Sequence, residues 1–272
     1  MKLTADVVRF SKRNALVLTI ASLTSGAGFL WPFIFSGEKL AHTQLFFLLA
    51  VTLAFILAAI EISNSSLDAK SIALLGVLAA LIAALRPLGA GAVGIEPMWF
   101  LLILSARVFG PSFGFLLGMI SVFVSALLTG GIGPWLGYQV FAAAWIGLLA
   151  GLLPGRKTLR GKSEIAMLAI FGIIAAEFFG ILMDLQFWPW ALGAQTQLSY
   201  SSTVGVGENI SRFFSFHFLS AMAWDVPRAI FTVGLIIVAG NPVLHALRRT
   251  YVRAAFLTPI EFIEREKEQT GA

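Results

Sequence analysis

The sequence predicts an all-α polytopic membrane protein with about eight transmembrane helices. Of its 272 residues, 58% are hydrophobic and only 12% are charged, against about 25% charged in a soluble domain. Several uninterrupted apolar runs approach the ~20 residues that cross a bilayer as a helix. Only helices and closed barrels satisfy their own backbone in lipid, and these runs are continuous rather than short and alternating, so helices are expected. The 24 Phe and 7 Trp suit lipid-facing and interfacial positions. Without cysteine there are no disulfides, thiol nucleophiles or thiolate metal sites.

The elements follow in order. Lys2, Arg9, Lys12 and Arg13 precede a first apolar run at about 15–35. A basic start before an apolar run also describes a signal peptide. The run continues past Ser25, Gly26 and Ala27, so a retained helix is expected. A second run covers about 44–62, and a polar link at 63–71 separates this pair from the rest. The third run, 72–88, leads into a loop at 89–97 that holds Gly89, Gly91, Gly94 and Glu96. A short fourth run covers 98–109 and a fifth 112–128.

The chain then turns through Gly130, Gly131, Gly133 and Pro134, beside Trp135, Tyr138 and Gln139. Glycine permits tight backbone angles and proline presets one, and the aromatics favour the water–lipid boundary. A re-entry at the membrane surface is expected there, into a sixth run at 138–153 that stops at Pro154. A basic loop, 155–163, precedes the seventh run, 164–187. A long polar segment, 188–212, precedes the eighth, 213–239, and the charged tail from 241 is expected to be solvated.

The net charge of +5 does not point to nucleic acid. The positive residues lie in short clusters between apolar runs, as topology signals do. With the N-terminus inside, every Lys and Arg except Lys39, Arg86, Arg212 and Arg228 falls on the cytoplasmic side. Both termini are therefore expected in the cytoplasm.

Small residues four apart let helix backbones approach closely. The third run has Gly76, Ala80 and Ala84, the fifth Gly114 and Gly118, and the sixth Ala143, Gly147 and Gly151. Internal packing and a docking face for another subunit both use this spacing. Charges at membrane depth are costly unless paired or hydrated. Glu177, Asp225 and Arg228 are expected to form a buried ionic cluster fixing the seventh run against the eighth. Asp225 and Arg228 stand three apart on one helix face, and Pro227 between them frees a carbonyl one turn back. Asp184 is nearer the outer surface and is the stronger site residue. No HExxH or Walker lysine occurs, and no enzyme is indicated. His42, His217 and His245 are scattered and are read as ordinary residues, with no metal site expected.

On these residues the stretch 71–240 resembles the six-helix substrate-binding S component of energy-coupling factor (ECF) vitamin transporters. The shared features are the alanine-rich first helix, the glycine-bearing loop after it, GGIGPWLGYQ (130–139), LLAGLLPG (148–155) and WDVPRA (224–229). ALRPLGAG (84–91), ARVFGPSFGF (106–115) and FWPW (187–190) resemble the group predicted to carry cobalamin. The runs within 1–70 would be two additional helices, and 241–272 a cytoplasmic charged tail.

The resemblance implies a multi-pass protein of a prokaryotic plasma membrane that captures a vitamin outside. It implies release inside after association with a scaffold subunit and two ATPases, with ATP used only by those partners. Gly76, Ala80 and Ala84 become the scaffold-docking candidates. The ligand pocket should be mostly apolar with a few placed polar groups. Its candidates are Glu96, Trp99, Trp135, Tyr138, Gln139, Asp184, Trp188 and Trp190. The competing reading is a self-sufficient secondary transporter in which Glu177, Asp184 and Asp225 relay protons.

Overall fold

The computed structural model describes residues 7–8, 10–34, 56, 69–89, 94–156, 158–191 and 196–253. Apart from Ile56, the expected second run lies outside the described residues. So do loop residues 90–93, the side chain of Trp190 and the tail beyond 253.

The described chain is built from helices: α1 (Lys12–Phe29), a single turn α2 (Trp31–Ile34), α3 (Ala69–Leu85), α4 (Met98–Phe109), α5 (Pro111–Thr129), α6 (Leu136–Leu152), α7 (Lys162–Ala191), α8 (Val206–Phe216) and α9 (Met222–Arg253). A 3₁₀ turn, Arg86–Gly89, extends α3, and a π-turn, His217–Ala221, joins α8 to α9. Spans 69–89, 111–129, 162–189 and 206–253 are each long and apolar enough to cross a membrane. Large apolar side chains such as Val77, Leu81, Leu128, Ile170, Ile173, Ile230 and Val238 face outward. A chain with its apolar side chains on the outside belongs in lipid, and the protein is an all-α membrane protein.

The short helix α4 is the axis of the bundle. Its sequence is apolar on every side apart from Ser105 and Arg107, the pattern of a helix enclosed by others, and Leu102 to Phe109 are all buried. Gly110, at φ 110°, turns the chain directly into α5, where Pro111 takes the first helical position. Gly130 ends α5 in the left-handed conformation at φ 66°.

Helices α5 and α6 touch backbone to backbone. A Cβ on Gly114 would lie 2.3 Å from the Gly147 oxygen, and one on Gly118 2.2 Å from the Ala143 oxygen. Gly151 meets Pro111 in the same way, at 2.5 Å. The small residues of the fifth and sixth runs are thus used for internal packing. Those of α3 are not: Gly76, Ala80 and Ala84 are exposed, and a Cβ on Gly76 would meet no described atom within 4 Å. The buried face of α3 is instead Leu75, Leu78, Ala79, Ile82 and Ala83.

Two boundaries differ from expectation. Helix α9 does not end near 239 but continues to Arg253. Gly240, Leu244, Leu247 and Arg248 recur at helical spacing on its buried side, a pattern that the mixed charges of this stretch conceal. The polar segment 188–212 is also partly helical. α7 carries on through Pro189 to Ala191, and α8 begins at Val206. Asn209, Phe213 and Phe216 form the buried side of α8, and Glu208 and Arg212 bridge one turn of its exposed side at 2.5 Å.

Candidate functional site

The loop between α3 and α4 delivers the first part of the site. Gly89 packs where a Cβ would fall 1.8 Å from the Ile95 oxygen. Gly94, at φ 71°, sits against the backbone of Trp224 and Arg228, with a Cβ position only 2.6 Å from each. A side chain at either glycine would lift the loop, so the two together press Glu96 against α9.

Glu96 accepts two hydrogen bonds from Arg228, at 3.2 Å from Nε and 3.3 Å from Nη2. Glu96 also accepts one from the Trp99 indole. Arg228 Nη1 donates to Asp225 one turn earlier, and the guanidinium lies 5.0 Å above the Phe179 ring of α7. Such bidentate and cation–π geometry is what a planar guanidinium provides and an ammonium does not.

The second part centres on His217, at the start of the π-turn. A π-turn inserts a residue into the helical repeat and often marks a functional position. The imidazole is fully buried, with Nδ1 2.8 Å from Asp184 Oδ2 and Nε2 2.8 Å from Glu177 Oε1. Glu177 and Asp184 lie two turns apart on α7, and Gly180 lies between them. The Asp225 carboxylate enters the space left by Gly180, where a Cβ would be 1.8 Å from Oδ2. Glu177, His217 and Asp225 each bring one possible ligand atom within 4.8 Å of the others, so these are the residues that could hold a metal.

The structure brings Glu96, Trp99 and Asp184 into one cluster with Glu177, Asp225 and Arg228. Arg228 pairs with Asp225 and Glu96, whereas Glu177 meets His217. Gln139 stands beside this cluster and accepts a hydrogen bond from Arg86 at 2.6 Å. Tyr138 is buried, edge-on to Phe29 of α1 at 4.8 Å. Trp135 is exposed at the α5–α6 turn. Trp188 is fully enclosed by Tyr200, Phe213 and Phe33, and donates to the Leu198 carbonyl at 2.7 Å. It packs the end of the bundle and leaves no free face for a ligand.

Sequence reasoning passed over His217 and Arg86. His217 had one usable signal, a position two helical turns before Asp225.

A separate ionic group closes the opposite end of the bundle. Glu164, at the start of α7, pairs with Arg107 of α4 at 2.9 Å and with Arg248 of α9 at 2.6 Å, all three buried. Arg107 also donates to the carbonyls of Leu153 and Pro154 after α6. Arg156 donates to the carbonyls of Arg107 and Val108 at the end of α4. In the adjoining loop, burial and then the nearby positive charge of Arg248 lower the pKa of Arg160.

No curated protein and no solved structure matches the chain. A family model described as the ECF transporter, substrate-specific component, matches residues 70–240. That match begins with α3, takes in every residue of the polar cluster and ends within α9, well over half of the sequence. The chain therefore belongs to the family of ECF transporter substrate-specific components.

Proposed function

We propose that this protein is the vitamin-capturing subunit of an ECF-type ABC importer in a prokaryotic plasma membrane, with cobalamin the favoured ligand. In this reading 71–240 is the six-helix core, 1–70 adds two helices, and both termini are cytoplasmic. In this reading the ligand enters at the outer end, and the 89–97 loop, the 130–138 turn and the 188–212 segment are the loops that close over it. Glu96, Trp99, Gln139 and Asp184 offer polar contacts there, and Trp135 an exposed ring. The chain itself performs no catalysis. A scaffold subunit and two ATPases supply the energy from ATP.

The observation that carries this reading is the exposed small-residue face of α3. Gly76, Ala80 and Ala84 form an exposed strip, with no described atom within 4 Å of a Cβ on Gly76, whereas the equivalent strips of α5 and α6 are buried against each other. A smooth apolar strip suits close approach of a second membrane subunit.

The test is mass spectrometry of ligand carried by the purified protein, followed by calorimetric titration with cobalamin and a vitamin panel. Tight cobalamin binding is expected. Binding of another vitamin would replace the ligand and keep the class. Silence across the panel would reject vitamin capture.

One observation favours a second reading. His217 between two carboxylates offers a proton relay for a self-sufficient secondary transporter. Uptake into liposomes driven by a proton gradient alone, without ATPases, would establish it.

A further inference from the structure

We infer that Glu177, His217 and Asp225 form a binding site for one divalent first-row transition-metal ion, with Asp184 orienting the imidazole. A neutral imidazole donates one hydrogen bond and presents one lone pair. Both ring nitrogens of His217 lie 2.8 Å from carboxylate oxygens, which accept and do not donate when ionised. With Nδ1–H given to Asp184, a neutral ring turns its Nε2 lone pair toward the Glu177 oxygen, and a bound cation would take the place of the proton that an imidazolium carries between them. A carboxylate holding the far nitrogen of a ligating histidine is the usual support of such a site.

Asp225 supplies independent evidence. It is 3% exposed, and its Oδ2 has no hydrogen-bond partner among the described residues. A buried carboxylate oxygen without a partner is costly. The bare Gly180 backbone holds this carboxylate within 4.8 Å of the His217 and Glu177 ligand atoms. The charges agree. Glu96, Glu177, Asp184 and Asp225 stand against Arg228 and Arg86, so a dication and a neutral imidazole bring the group to balance. Two carboxylates with one imidazole suit Zn²⁺ or its first-row neighbours better than Mg²⁺ or Ca²⁺, which prefer all-oxygen shells. The three ligand atoms lie within 4.8 Å of one another, and His217 Nε2 is 2.8 Å from Glu177 Oε1, so the set is compact enough to draw onto one ion at the about 2.0–2.2 Å of a formed zinc site.

This inference is independent of the vitamin reading, because its readout is the metal alone. Full-length protein in detergent, stripped with chelator, is titrated with Zn²⁺ by calorimetry and with Co²⁺ by visible absorption. The expected result is one ion per chain and ligand-field bands from bound Co²⁺. His217→Ala and Glu177→Gln should each weaken binding more than about tenfold, and Asp184→Asn by about 10–100-fold. The Co²⁺ spectrum of the unaltered chain needs no variant to fold, and its absence overturns the proposal. Undiminished affinity in folded His217→Ala overturns it equally.

Discussion

Gly114 and Gly147 meet across the α5–α6 contact with each backbone seated on the other. A Cβ on Gly147 would lie 2.0 Å from the Gly114 oxygen, and one on Gly114 2.3 Å from the Gly147 oxygen. Neither helix can take a side chain there without moving away from its neighbour. Gly147→Leu should therefore destabilise the fold by at least about 1–3 kcal/mol, the usual cost of overpacking. Thermal unfolding in detergent measures this, and an unchanged midpoint would mean that the two helices are not in backbone contact.

The Ala80→Trp substitution should behave in the opposite way. Ala80 lies on the exposed side of α3 among the described residues, so the isolated chain should keep its melting temperature and ligand affinity. On the docking reading, co-purification with the scaffold subunit should be lost. Loss of stability in the isolated chain would identify this face as core.

Glu164 neutralises two buried guanidiniums, those of Arg107 and Arg248. Removing one partner of a buried ionic group costs about 3–5 kcal/mol, because a charge is left uncompensated in a poor solvent. Glu164→Ala should lose stability on that scale. Replacing all three residues with apolar ones of similar size should recover most of it. The comparison is made by unfolding the single and triple variants side by side, and a triple variant no better than the single would contradict this account of the loss.

Arg228 ties the 89–97 loop to α9 through Glu96 and Asp225. Arg228→Ala should leave both carboxylates without their cation and cost about 3 kcal/mol or more. Arg228→Lys should restore only part of that, since an ammonium cannot make the bidentate contact to Glu96. Protease sensitivity of the loop, read alongside thermal unfolding, separates the two variants. If Arg228→Ala leaves both measurements unchanged, the residue does not hold the loop.

Composition and hydropathy alone determined the class of this protein, the approximate spans of α3 to α7 and the region where polar residues accumulate. Solvation is a local property: a run of apolar side chains must leave water whatever its partners are, so its length is legible residue by residue. The short reach of α4 and the glycine turn after α5 were legible for the same reason. The spacing that predicts close helix contact is the same in α3, α5 and α6. Only the packed bundle distinguishes Gly114 and Gly147, which meet, from Gly76, which faces outward. Arg228 and Glu96 are 132 positions apart, and no local pattern connects them. His217 reads as an isolated histidine until the π-turn carries it between two carboxylates of α7. Tertiary structure decided these relationships because the energy of a buried charge depends on which groups surround it, and those groups come from distant parts of the chain.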